Sequence, residues 1–245
     1  MSSKKTKKKK QNKIKMLFEH LFYDFVKLTG FLPTLIMMRP KIVYLNKDNK
    51  PNIKGGFMVS ANHCGFLDPV LVHCAFWKRR IYSLATKDLY SSKLKAWFFN
   101  HVHCIQVDKN NFSVNSFHEV TKQLKRGKVV SIFPEGEVNV DSPEVHTFKS
   151  GVTLMAHTAN VPIVPIYLAP HTRWYKRYVI IVGEQIDTRK LCDGAPTVQD
   201  IDKISSYIQE KELELKNLYF KLYGENGNAD NNNDSNIEEK KEILQ

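Results

Sequence analysis

Short runs of β-branched and aromatic residues alternate along this chain with longer stretches of helical periodicity. The apolar runs predict strands at 42–45, 56–61, 81–85, 104–107, 129–133, 164–168 and 178–182. Apolar positions at three- and four-residue spacing predict helices at 69–76, 93–100, 114–125 and 151–158, and a long one at 198–223. Such alternation predicts an α/β fold, a single domain with a central mixed, mostly parallel sheet flanked by helices. Upstream of the first strand, Leu17, Leu21, Phe25 and Leu28 recur at helical spacing, and Phe18 and Phe22 widen that face. Glu19, Asp24 and Lys27 interrupt it, Gly30 and Pro33 break it, and Leu35-Ile36-Met37-Met38 follows. The expectation is an N-terminal amphipathic helical hairpin over 16–39. No uninterrupted apolar stretch reaches the roughly 20 residues of a membrane span. A secretory signal is not expected either, because the acids interrupt the apolar part and no small-residue cleavage site follows. The hairpin is expected to lie in one leaflet; packing its apolar face on the domain is the alternative.

Composition is consistent with one core, since 245 residues at 42% hydrophobic content can bury one of good size. The formal net charge of +12 is uneven. Residues 1–15 carry eight lysines and no acid, residues 225–245 carry six acids and two lysines, and the remainder is itself basic at +8. The expected organisation is a disordered basic head at 1–15, membrane-associating helices at 16–39, a folded domain at 40–224 and a disordered polar tail at 225–245. This balance suits an anionic membrane surface, an acidic carrier or a CoA-type donor, and equally nucleic acid. No nucleic-acid motif accompanies it, so no nucleic-acid partner is expected. Cys64, Cys74, Cys104 and Cys192 are scattered, without metal-finger spacing or the look of a disulfide framework, which points to a reducing compartment. His63, Cys64, His73, Cys74, His101, His103 and Cys104 offer possible metal ligands, but several are adjacent pairs, which face opposite ways on a strand. No metal is expected, and His73 and His101 are expected to be structural or surface residues.

Two polar signatures at strand ends carry the chemistry. The strand at 56–61 runs into Asn62-His63-Cys64-Gly65-Phe66-Leu67-Asp68, followed by Pro69. Asp68 suits an N-cap and Pro69 the first helical position, so the turn folds the carboxylate back toward the imidazole. A carboxylate there can bind one ring nitrogen and leave the other basic. No serine or cysteine nucleophile is needed if the substrate brings its own hydroxyl. The strand at 129–133 likewise stops at Pro134-Glu135-Gly136, which aims Glu135 from a strand end. Ligands of open α/β sheets bind beyond the carboxyl ends of strands, so the two ends point to one site.

Asn62-His63 with Asp68, Phe133-Pro134-Glu135-Gly136 and Val161-Pro162-Ile163-Val164-Pro165-Ile166 occur in that order, with Val102–Lys109 between the first two. In this the chain resembles the phospholipid/glycerol acyltransferase family over roughly residues 40–190, and in size its lysophosphatidic acid acyltransferase branch. The resemblance implies transfer of a fatty acyl group from an acyl-CoA or acyl carrier protein thioester to a lysophospholipid hydroxyl, in 1-acylglycerol-3-phosphate above all, as a step of phospholipid biosynthesis. It implies no cofactor beyond that thioester co-substrate. It implies that His63 is the general base, that Asp68 orients it, and that Glu135 and Gly136 shape the substrate site. It also implies enzyme and acceptor meeting at the cytoplasmic face of a membrane, with the protein peripheral or monotopic. The chain departs from the family pattern where Lys109 and Val138 stand in for arginines. Lys109, Lys149 and Lys87 are then the candidate phosphate-binding cations, as point charges rather than bidentate forks. An acyltransferase for a different lysolipid is the near alternative. A non-catalytic basic module binding membrane or nucleic acid is the distant one; it explains the charge but not two polar signatures at strand ends.

Overall fold

A computed structural model describes residues 2–45, 54–108, 113–136, 150–170, 177–192 and 194–224. Each of the seven apolar runs forms a strand: β1 (Lys41–Tyr44), β2 (Phe57–Ala61), β3 (Ile81–Thr86), β4 (Cys104–Val107), β5 (Val129–Ile132), β6 (Ile163–Leu168) and β7 (Val179–Val182). They pair into one sheet of order β1-β7-β6-β2-β5-β3-β4. Neighbours run parallel except β6 and β7. Parallel pairs need long crossovers, and the helical stretches supply them. The expected mixed, mostly parallel sheet in a single domain is the one observed.

The helices are α1 (Ser2–Met38), α2 (Asp68–Ala75), α3 (Lys93–His101), α4 (Val114–Lys125), α5 (Gly151–Ala159), α6 (Thr188–Leu191) and α7 (Val198–Tyr223). The four-residue α6 and the one-turn 3-10 helix Lys87–Tyr90 have no counterpart in the sequence reading, because elements so short carry no periodicity. Central β2 is buried throughout, and Val59 lies between Ser131 of β5 and Val164 of β6. Its alternate residues serve two cores. Phe57, Val59 and Ala61 pack with Leu71, Val72, Ala75 and Phe76 around α2. Met58 faces the other way, toward Val120 and Leu124 of α4, Val152 and Met155 of α5, and Ile204 and Ile208 of α7.

The N-terminal segment corrects the reading of a hairpin. One helix, α1, runs from Ser2 to Met38 with Pro33 inside it, and it begins within the lysine-rich head that was expected to be disordered. Proline kinks a helix but need not end it. Here the hydroxyls of Thr29 and Thr34 donate to the carbonyls of Phe25 and Gly30, adding bonds on either side of the Pro33 gap. The polar face of α1 docks on the domain at the start of β3. Tyr23 Oη accepts the Ile81 N–H at 2.9 Å, Asp24 takes both nitrogens of the Arg80 fork at 2.9 and 2.6 Å, and Lys27 Nζ donates to the Trp77 carbonyl and, at 2.8 Å, to that of Arg79. Burial pulls the Lys27 ammonium down to about 8. His103 is stacked between the rings of Tyr23 and Tyr82, with centroids 4.7 and 4.6 Å away, and burial pulls it down to about 4. The charges that interrupt the apolar pattern are therefore its docking face, and Leu17, Leu21, Phe25 and Leu28 point outward, each more than half exposed. By length and composition alone, the stretch Met16–Met38 is sufficient to cross a bilayer, which the count of uninterrupted apolar residues did not suggest. The tail at 225–245 lies outside the described residues.

Gly56 sits where β2 passes the end of α4. A Cβ there would lie 2.3 Å from the Leu124 carbonyl oxygen, too close for any carbon. Gly56→Ala is therefore expected to destabilise the fold by about 2–4 kcal/mol, seen as a lower urea midpoint at unchanged m-value.

Candidate active site

Because β2 and β5 are parallel neighbours in register, their carboxyl ends open on the same edge of the sheet. Beyond β2 the chain turns through 62–67 into α2. Asn62 fixes the start of that turn: its Nδ2 donates to the Leu168 carbonyl at 2.9 Å, and its Oδ1 accepts the Leu168 N–H at 2.7 Å, so one amide clamps the end of β2 to the end of β6. Asp68 does not cap α2 as expected. The helix begins at Asp68 itself, with Leu67 in the N-cap position and no side-chain cap. The Asp68 carboxylate points back into the turn, where Oδ2 accepts the backbone N–H groups of Cys64 and Gly65, each at 2.7 Å, and meets His63 Nδ1 at 2.8 Å. The sharp turn leaves those amides without ladder partners, and the carboxylate satisfies them.

An oxygen that already accepts two N–H groups also accepts from the ring, so Nδ1 carries the imidazole proton and Nε2 keeps its lone pair. Nε2 has no hydrogen-bond partner among the described residues. The His63 side chain is 16% exposed against 5% for Asp68: the carboxylate is buried and the imidazole reachable. The imidazole stacks on Phe133 from the end of β5, with centroids 4.2 Å apart and planes 21° from parallel. Burial and the Asp68 charge push the Cys64 thiol up to about 11, so at neutral pH it is no thiolate nucleophile.

After Phe133, the Gly136 N–H closes a tight turn on the Phe133 carbonyl at 3.1 Å. Gly136 has φ +73°, a left-handed conformation that favours glycine, so it is needed at least for the shape of the turn. Glu135, on that turn, is buried. Lys87 stands at the carboxyl end of β3, largely exposed and paired with Asp108 at 2.8 Å. Lys109 and Lys149, like Val138, lie outside the described residues. Among the described residues no three His, Cys, Asp or Glu side chains converge on a possible metal position.

Two contributors to the site and one buried acid escaped the sequence reading. The Asn62 clamp and the Phe133 stack depend on strand neighbours far apart in the chain. The third, Glu212, had a local signal. It occupies a buried position in the apolar stripe Ile201, Ile204, Ile208, Leu215, Tyr219 of α7. It is 1% exposed, and burial, helped by the charge of Glu135, pushes its carboxyl up to about 8. Replacing Asn62 by alanine takes the Oδ1 acceptor from the Leu168 N–H and leaves its carbonyl only the weak Cys64 thiol donor at 3.9 Å; Asn62→Ala is expected to cost about 2–3 kcal/mol in chemical denaturation.

Comparison with known proteins places this geometry among relatives. Residues 41–169 match the family model described as Acyltransferase. The chain is 26% identical over 192 residues to the 1-acyl-sn-glycerol-3-phosphate acyltransferase of Bacillus subtilis, covering 76% of this chain and 94% of that protein. It is 31% identical over 131 residues to the probable 1-acyl-sn-glycerol-3-phosphate acyltransferase of Mycoplasma pneumoniae, covering 51% of this chain and about half, 48%, of that one. Among solved structures, the 1-acyl-sn-glycerophosphate (LPA) acyltransferase PlsC of Thermotoga maritima shares the fold with a TM-score of 0.55 at 19% identity, over 84% of this chain and 97% of that one.

Proposed function

The chain belongs to the Acyltransferase family, and from that premise we propose that it transfers a fatty acyl group from an acyl-CoA or acyl carrier protein thioester to the free hydroxyl of 1-acylglycerol-3-phosphate, a step of phospholipid biosynthesis. The observation that carries this reading is the 2.8 Å contact of His63 Nδ1 with Asp68 Oδ2, which leaves Nε2 basic and reachable. In the proposed step the acceptor hydroxyl oxygen attacks the thioester carbonyl carbon as Nε2 takes its proton. The tetrahedral intermediate collapses with cleavage of the C–S bond, and the imidazolium returns the proton to the departing thiolate. Asp68 holds the tautomer throughout and stabilises the imidazolium. The hydroxyl comes with the substrate, which agrees with a site whose cysteine is an inert thiol.

Glu135 and Gly136 shape the acceptor side of the site in this reading, and Lys87, Lys109 and Lys149 are the cations for its phosphate. Lys87 reaches a phosphate only by leaving Asp108. The acceptor is a membrane lipid, and the exposed chemistry suits one. Phe66, between His63 and Asp68, is 85% exposed, and the outer face of α1 is a row of exposed Leu and Phe. The protein is proposed to sit at the cytoplasmic face of the membrane on α1, drawn by its basic charge to anionic lipid.

Wild-type protein is expected to move a labelled palmitoyl group from its thioester to lysophosphatidic acid, and His63→Ala to lower that rate by about 10³-fold or more with the fold intact by circular dichroism. Full turnover by the variant would sink the base assignment; transfer only to zwitterionic or uncharged lysolipids would move the acceptor and keep the base. A second measurement tests the membrane reading. Leu21→Ser with Phe25→Ser alters only outward-facing positions of α1, and this variant is expected to pellet about tenfold less with anionic vesicles; unchanged pelleting counts against α1 as the anchor.

A further inference from the structure

The mechanism above uses the carboxyl ends of the strands. A second concavity lies at their amino ends, between α1 and the segments that lead into β3 and β5. It is a cleft of about 710 Å³ whose lining includes Leu28, Trp77, Lys78, Arg79, Arg80 and Lys128, with Asp24 and Lys27 of α1 completing the wall. Five cationic side chains thus line it against one carboxylate among the described residues. That carboxylate is already engaged, since the Arg80 fork takes both Asp24 oxygens at 2.9 and 2.6 Å. Arg79 is built into the wall as well: its Nη2 donates to the Gly55 and Gly127 carbonyls at 2.5 and 2.9 Å. A concave wall with such an excess of one sign focuses its potential outward and draws anions in.

The rim shows where the anion comes from. Leu28 belongs both to this wall and to the outward apolar row of α1 with Leu17, Leu21 and Phe25. Trp77, 50% exposed, stands where that apolar surface meets the cations, and Lys78 Nζ lies 5.5 Å from its ring centroid. Indole rings favour the boundary between hydrocarbon and headgroups. With the row of α1 in the acyl layer, the cleft on its flank stands at the depth of the lipid phosphates. The acyl acceptor of the reaction cannot fill it. Phe57 is level with Val129, so Lys128 stands level with Gly56, seven residues before His63. At the rise of a strand that is roughly 20 Å along the sheet. The phosphate of a lysophosphatidic acid is only a few bonds from its reacting hydroxyl.

We propose that this cleft is a second anion site, separate from the catalytic one, which takes the phosphate of an anionic phospholipid of the surrounding bilayer and so sets the tilt of the domain on the membrane. Lys78 and Lys128 meet the phosphate as point charges, and Arg79 and Arg80 hold the wall that presents them. The inference rests on the reading of α1 as a membrane anchor and is independent of acyl transfer.

Lys78→Gln with Lys128→Gln removes two charges from the cleft without disturbing the Asp24–Arg80 fork or the carbonyls held by Arg79. Lys190→Gln with Lys203→Gln, at exposed positions of α6 and α7, removes the same charge elsewhere. Full-length proteins are pelleted with phosphatidylcholine vesicles, with and without phosphatidylglycerol, after circular dichroism has shown the wild-type fold in each. Wild type is expected to bind the anionic vesicles about tenfold more tightly than the neutral ones. The cleft variant is expected to lose most of that preference while binding neutral vesicles within about twofold of wild type, and the control variant to keep it within about threefold. Tilt has its own readout: brominated lipid in anionic vesicles is expected to quench Trp77, measured as the difference between wild type and Trp77→Phe, and to quench it less in the cleft variant. An unchanged preference in the cleft variant, or an equal loss in both variants, overturns the cleft site and leaves α1 as the anchor. Abolition of the preference by inorganic phosphate or free CoA at matched ionic strength also overturns it, in favour of a site for soluble phosphates. Wild-type pelleting of Leu21→Ser with Phe25→Ser, while the cleft variant still loses its preference, overturns α1 as the anchor and leaves the lipid-phosphate site in place.

Discussion

One carboxylate oxygen, Asp68 Oδ2, holds together the turn and the His63 imidazole. It accepts two backbone N–H groups from the turn that connects β2 to α2, and it is the only partner of His63 Nδ1 among the described residues. Hydrogen bonds to a charged acceptor are stronger than neutral ones, on the order of 1.5–3 kcal/mol each. The buried charge is tolerable because those N–H dipoles surround it and because it stands at the positive end of α2. The same bonds that make the turn foldable fix the imidazole tautomer. Loss of the carboxylate therefore removes a structural and a chemical element at once.

The rest of the molecule positions that interaction. β2 is the most enclosed strand of the sheet, with parallel partners on both sides and helices on both faces, so its end is a fixed point. Asn62 ties that end to β6, and Phe133 leans on the imidazole from β5. Both contacts exist only because β5 and β6 flank β2. At the opposite ends of the strands, α1 spends its charged residues on the backbone and on Arg80 around the start of β3, leaving an apolar face outward. That division explains how one helix carries both acids and a membrane-like surface.

Much of this was legible in the residues. From β1 onward, the short α6 and the 3-10 turn apart, strand and helix bounds fall within a residue or two of those expected, because period-two and period-3.6 burial leave direct traces in the sequence. The pairing of His63 with Asp68 was legible too, since a short turn between strand and helix leaves few ways to place them. The manner of pairing was not. Asp68 was read as a cap for the helix ahead, whereas the free amides behind it were the stronger claim on its carboxylate. Gly30 and Pro33 were read as a break between two helices. A helix that docks through Tyr23, Asp24 and Lys27 outweighs local propensity, and one missing backbone donor does not end it. Lys87 was legible as a candidate cation at a strand end, but its pairing with Asp108 was not, because position along a strand does not say which neighbour a long side chain takes.

The sequence by itself determined the strands and the longer helices after them, their order, the class of fold and the residues chemically able to abstract a proton, because each depends on neighbours within a few positions. Only the tertiary structure decided which strands lie side by side, that Phe133 stacks on His63, and that Glu212 of α7 is buried. An acid in a helix is an ordinary surface residue until packing removes its water. The desolvation that keeps Glu212 protonated comes from the sheet and helices closing around it, and no local pattern of residues encodes that enclosure.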